Sequence, residues 1–97
     1  MENLLISDAV LRKLKTRHGV DVSEVRQCFL NRHGKLLHDT RALTKTDPPT
    51  LWFIAKTNKN RALKIVYILK DSKIILKTAY DPNEMELGIY TRHGMAR

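Results

Sequence analysis

Leu4, Leu5 and Ile6 lead into Ser7-Asp8, after which Val10, Leu11 and Leu14 recur at helical spacing as far as Arg17-His18-Gly19. Ser7-Asp8 is an N-cap pair, so the spacing predicts a first helix that ends at the glycine. Asp21 with Glu24 three residues on reads as a capping box built on Asp, with Val20 and Val25 as the hydrophobic staple beside it. A second helix follows through Val22, Val25, Cys28 and Phe29 to Asn31-Arg32-His33-Gly34. From Lys35 the period changes: Lys35 to Asp39 is a short strand, and Thr40 to Pro49 is polar, proline-terminated and aperiodic, as a loop is. Three apolar runs come next, Leu51 to Ala55, Leu63 to Leu69 and Ile74 to Tyr80, separated by Asn58-Lys59-Asn60 and Asp71-Ser72. They predict consecutive antiparallel strands. Asp81-Pro82-Asn83-Glu84 then opens a last helix, with Met85, Leu87 or Gly88, Ile89 and Tyr90 forming its apolar side before Arg92-His93-Gly94. The expectation is one α+β domain over 1–97: two N-terminal helices, a twisted antiparallel sheet of three to four strands and a C-terminal helix.

A two-residue loop at Asp71-Ser72 sets a register in which Lys70 faces Lys73 and Lys64 faces Ala79. One sheet face then carries Leu63, Ile65, Tyr67, Leu69, Ile74, Leu76, Thr78 and Tyr80 and is the expected core. The other mixes Lys64, Val66, Ile68, Lys70, Lys73, Ile75, Lys77 and Ala79. Val66, Ile68 and Ile75 make that second face too apolar for open solvent, so it is expected to receive a partner.

Charge narrows the function. Lys+Arg 18 against Asp+Glu 10 leaves +8 at pH 7 in 97 residues, which points to polyanions and first of all to nucleic acid. A hydrophobic content of 42% predicts a folded chain. Cys28 is the single cysteine, which excludes an internal disulfide and fits a reducing compartment. No apolar run is long enough for a membrane span, and Met1-Glu2-Asn3-Leu4 lacks the basic flank of a signal peptide, so the cytoplasm is the expected location.

Arg-His-Gly occurs at 17–19, 32–34 and 92–94, each time where a helix is predicted to end. Cations in a last turn followed by glycine suit a helix C-terminus, and the third copy has the best claim to a further role. His33 and His38 are the only close histidine pair and no carboxylate completes a ligand set, so neither metal nor other cofactor is expected. Cys28 beside Phe29 reads as packing, and Asp47, Asp71, Asp81 and Glu84 read as turn or cap residues. What remains is a basic surface with aromatic members: Lys56, Arg61, Lys64, Lys77, Tyr80, Arg92 and His93. Such groups can clamp phosphate while a ribose 2′-hydroxyl attacks it, or can bind RNA without cutting it.

Several strings resemble the BrnT family, ribonuclease toxins of type II toxin–antitoxin modules within the wider RelE-like group. They are Arg17-His18-Gly19-Val20 with Ser23-Glu24-Val25 and Phe29, then Leu51 to Ala55, Arg61 to Tyr67, Ile74 to Ala79, and Glu86 with Ile89-Tyr90. Such toxins end the last strand with Ser-Ala-Arg, whereas this chain has Thr78-Ala79-Tyr80, which shifts the expected charge to Arg61, Lys64, Lys77 and Arg92. The resemblance implies a metal-independent ribonuclease neutralised by a protein antitoxin that covers the basic sheet face. On that reading Arg61, Lys64 and Lys77 hold phosphate, Tyr80 and His93 transfer protons or stack on a base, and Arg92 meets the developing charge. The alternative is a non-catalytic RNA- or protein-binding module on the same fold. Asp47 to Phe53 and Thr78 to Glu84 also resemble short bacterial proteins called ADP-ribosyl-(dinitrogen reductase) hydrolases, which implies an ADP-ribose-related hydrolase as a third reading.

Overall fold

A computed structural model describes residues 3–38 and 49–95. The order is β1 (Leu4–Leu5), α1 (Asp8–Lys13) running into a π-helical turn (Leu14–His18), α2 (Val22–Asn31), β2 (Leu37–His38), β3 (Thr50–Lys56), β4 (Ala62–Lys70), β5 (Lys73–Tyr80) and α3 (Glu84–His93). The α+β expectation holds, with the sheet in the order β1-β5-β4-β3-β2. It is mixed rather than wholly antiparallel, because β1 pairs parallel to β5, Leu4 opposite Ile74 and Leu5 opposite Ile75. The loop expected at 40–49 lies, apart from Pro49, outside the described residues, as does Asp39 at the end of the expected short strand. Among the described residues no helix is long and apolar enough to cross a membrane.

The helix boundaries follow from the caps. The Ser7 hydroxyl accepts from the Val10 amide, and Asp21 with Glu24 forms the expected capping box. Asn83 with Glu86 forms another at the start of α3. Only the first Arg-His-Gly ends its helix on a left-handed glycine, Gly19 at φ 58°. Gly34 and Gly94 serve a different need, since a Cβ at either would fall under 3.0 Å from Tyr90. These two glycines let the chain close on that ring.

Register decides which side chains meet. Asp71 and Ser72 both have positive φ, 53° and 63°, the backbone of a type I′ hairpin turn, and Lys70 faces Lys73 as expected. The expected pairing fails beyond Tyr67, because Tyr67 faces Leu76 while Val66 faces Thr78. Lys77 is the extra residue of a β-bulge, and a one-residue slip exchanges every later side chain between faces. Lys64 therefore faces Tyr80 rather than Ala79, and Ala79 faces Ile65 in the core. The assignment of Thr78 and Tyr80 to the core face is overturned for the same reason.

The core lies between the sheet and α1–α2. Phe53, Leu14, Leu63, Ile65, Leu76, Val25 and Cys28 are fully buried there, each large apolar side chain contributing roughly 1.5–3 kcal/mol. Phe29 of α2 sets its ring 5.0 Å from Phe53 and 5.4 Å from Tyr67. The opposite face is partly covered by the chain's own C-terminal helix. Tyr90 of α3 meets Trp52 at 5.7 Å, and Glu86 reaches Lys64. The expectation that this face waits for a partner is corrected over that area. Leu5, Ile68 and Ile75 beyond it stay exposed or half-buried.

Candidate functional site

Of the six candidate residues, the structure brings two into contact: Lys64 of β4 and Tyr80 of β5, opposite one another across the strands. Glu86 joins them from the first turn of α3. The Lys64 ammonium and the Tyr80 hydroxyl both donate to Glu86 Oε2 at 2.7 Å. Glu86 Oε1 accepts from the Asn83 amide at 3.0 Å, so the cap that starts the helix also aims the carboxylate. Lys64 is 8% exposed and its Nζ lies 4.5 Å from the centre of the Trp52 ring, whose face favours a cation. Burial pushes the Glu86 carboxyl up, but the bonds from Lys64, Asn83 and Tyr80 outweigh it and hold the group below the ordinary carboxylate range. The carboxylate is therefore ionised at neutral pH.

His18 closes the group. It ends the π-helical turn, and its ring centroid lies 5.6 Å from that of Tyr80. An imidazole, a phenol, a carboxylate and an ammonium thus meet where the N-terminal helical segment, the end of β5 and the start of α3 come together.

Arg61 has a different place from the expected one. Its Nε and Nη2 bind the two Asp81 oxygens at 2.9 and 2.8 Å. Its Nη1 reaches Glu24 at 3.3 Å and the Gly19 carbonyl at 2.9 Å, and Nη2 reaches the His18 carbonyl at 3.1 Å. The guanidinium is a clamp across the ends of the first helical segment, α2 and β5, with its charge matched by two carboxylates. Asp81, read from sequence as a cap, is held well below the usual carboxylate range by the hydrogen bond from Arg61. Lys77 is the exposed bulge residue. Arg92 and His93 are exposed in the last turn of α3, roughly 9 Å or more along the helix from Glu86. No hydrogen bond or ion pair joins Lys77, Arg92 or His93 to the group around Glu86.

No family model, curated protein or solved structure matches this chain.

Beside the group a cleft of about 380 Å³ opens between the C-terminal end of α2, the β3–β4 hairpin and α3. Its floor is Ile54 and Ala62, and Ile54 is the cross-strand neighbour of Lys64. Sequence reasoning missed both Glu86 and His18. Glu86 carried a signal in its place three residues after Asn83, as the second half of a capping box. His18 was read as a last-turn cation. It lies within the family-like string Arg17-His18-Gly19-Val20, and nothing in residue order shows that the end of β5 would return beside it.

Proposed function

We propose that the chain is the toxin of a two-gene toxin–antitoxin module, an RNA-binding protein that cleaves its target without metal at the centre formed by His18, Lys64, Tyr80 and Glu86. The observation that carries this reading is the convergence of Lys64 and Tyr80 on one Glu86 oxygen with an imidazole alongside. The +8 charge supplies attraction for the polyanion, and the order of helix, helix, strands and helix agrees with what the resemblance implies. In the reaction the ribose 2′-oxygen forms a bond to phosphorus as the bond to the 5′-oxygen breaks. His18 accepts the 2′ proton, the Tyr80 phenol donates one to the leaving oxygen, and Lys64 balances the charge growing on the phosphate. The proton then returns from imidazolium to phenolate, and Glu86 keeps phenol and ammonium in place.

A second reading, an RNA-binding module without catalysis, is favoured by the pairing of Arg61 with Asp81 and Glu24 and of Lys64 with Glu86, which leaves neither cation unmatched. One experiment separates the two. Purified protein is incubated with a labelled RNA in EDTA, beside His18→Ala and Tyr80→Phe. Cleavage to products ending in 2′,3′-cyclic phosphate, reduced roughly 10²- to 10⁴-fold in both variants, supports the toxin. Salt-sensitive binding with intact RNA supports the module.

A further inference from the structure

We infer that the cleft between α2, the β3–β4 hairpin and α3 binds a single nucleotide, with its base inside and its phosphate at the mouth; as a subsite for RNA this rests on the function proposed above. The volume, about 380 Å³, falls at the small end of ligand pockets and suits one planar ring system with a sugar. Ile54, Ala62, Leu87 and Met95 offer apolar surface, with Leu87 and Met95 40% and 52% exposed, so the walls already face water that a base would displace. Tyr90 contributes an aromatic ring.

Lys56 is the one charged side chain among the described lining residues; it is exposed and forms no ion pair with a carboxylate among the described residues, and His33 adds an exposed imidazole. No described lining residue is acidic. An apolar slot with an ammonium and an imidazole at its edge and no carboxylate among its described lining selects an anion carrying a flat apolar body, which is the chemistry of a nucleotide.

The walls are also fixed in advance. Asn31 Nδ2 bonds the Lys56 carbonyl at 2.9 Å and Asn58 Oδ1 at 3.0 Å, tying α2 to the hairpin. The Lys35 amide donates to the Gly94 carbonyl at 2.8 Å, and the Tyr90 hydroxyl donates to the Lys35 carbonyl at 2.8 Å, tying α3 to the segment after α2. A cleft held open in this way loses little freedom on binding. Because Ile54 faces Lys64 across the strands, a nucleotide seated here would place the adjoining phosphate of an RNA strand toward Glu86 and Tyr80.

The test is an amide-resolved NMR titration of the whole chain with AMP, GMP, CMP and UMP, and separately with adenosine. Expected is saturable binding of at least one mononucleotide, with shifts at Ala55, Ala62 and Leu87. Adenosine should bind more weakly than AMP. Ala62→Phe, which fills the floor, should weaken binding tenfold or more, and the exposed Lys56→Ala about threefold. Lys73→Ala, which removes another exposed cation, at the β4–β5 turn, should leave it unchanged. Absence of binding by all four nucleotides at millimolar concentration would overturn the inference, as would equal binding by Lys56→Ala and Lys73→Ala. An oligoribonucleotide that displaces the mononucleotide from the same residues makes the cleft an RNA subsite. A mononucleotide that RNA cannot displace leaves the cleft as a free-nucleotide site and counts against the RNA reading alone. RNA cleavage without any shift at the cleft counts against the cleft alone.

Discussion

Replacing Lys64 with methionine tests the pair on which the candidate site is built. Methionine keeps much of the apolar stem over Trp52 but removes an ammonium 2.7 Å from Glu86 and 4.5 Å from the indole centre. The side chains of Lys64 and Glu86 are only 10% and 16% exposed, so solvent screens the pair weakly. A hydrogen bond to a charged group contributes about 1.5–3 kcal/mol and a cation–π contact about 0.5–1 kcal/mol, which together give an expected loss of about 2–4 kcal/mol. For a domain of this size, about 2 kcal/mol lowers Tm by roughly 8–16 °C. The measurement is a double-mutant cycle with Glu86→Gln, each variant unfolded in urea at pH 7 and again near pH 3. Glu86 has a folded-state pKa below its unfolded value near 4.5, so its share of the stability is fully present above that value and is lost as pH falls through the lower one. The coupling should therefore approach the hydrogen-bond figure at pH 7 and shrink in acid. A coupling below about 0.5 kcal/mol at pH 7, no larger than that of an exposed pair, would refute the reasoning, and so would one unchanged by acid.

Arg61→Lys should destabilise the fold by about 1–3 kcal/mol in urea unfolding, since a lysine cannot reproduce the two-pronged bond to Asp81 and still reach two carbonyls. Gly19→Ala and Gly88→Ala should move Tm in opposite directions. The first loses about 1 kcal/mol at φ 58°, and the second gains about 0.8–1 kcal/mol in a helix position with no heavy atom within 4 Å of the new methyl. Burial pushes the Cys28 thiol up to about 11, so Ellman's reagent at pH 8 should react with it only after denaturant is added. Prompt reaction of the native protein would show that the α2–sheet interface opens readily.

The helices and long strands were legible because their signals are local. Caps at Ser7 and Asp21 and the turn at Asp71-Ser72 depend on neighbours within a few residues. Strand β1 escaped notice because two residues show no period, and what makes them a strand is pairing with β5, fastened by the Ile74 amide on the Asn3 carbonyl and by Asn3 Nδ2 on the Ser72 carbonyl. The bulge escaped because Lys77 fits a regular alternation as well as it fits an interruption, and only the burial of Ala79 tells the two apart. In the candidate site, Lys64 and Tyr80 could be named from residue type. Arg61 could not be excluded the same way, because the carboxylates that engage it lie 37 and 20 residues away.

The bulge at Lys77 makes that one position of β5 dispensable to the pairing on either side of it. Its side chain is exposed, and many residues could stand there without disturbing the partners of its neighbours. Deleting it would restore plain alternation and keep the observed partners, Thr78 opposite Val66, Ala79 opposite Ile65 and Tyr80 opposite Lys64. Descendants of this sequence should then tolerate at that point both substitution and the loss of that one residue, whereas a residue inserted after Thr78 would bring Ala79 up beside Lys64.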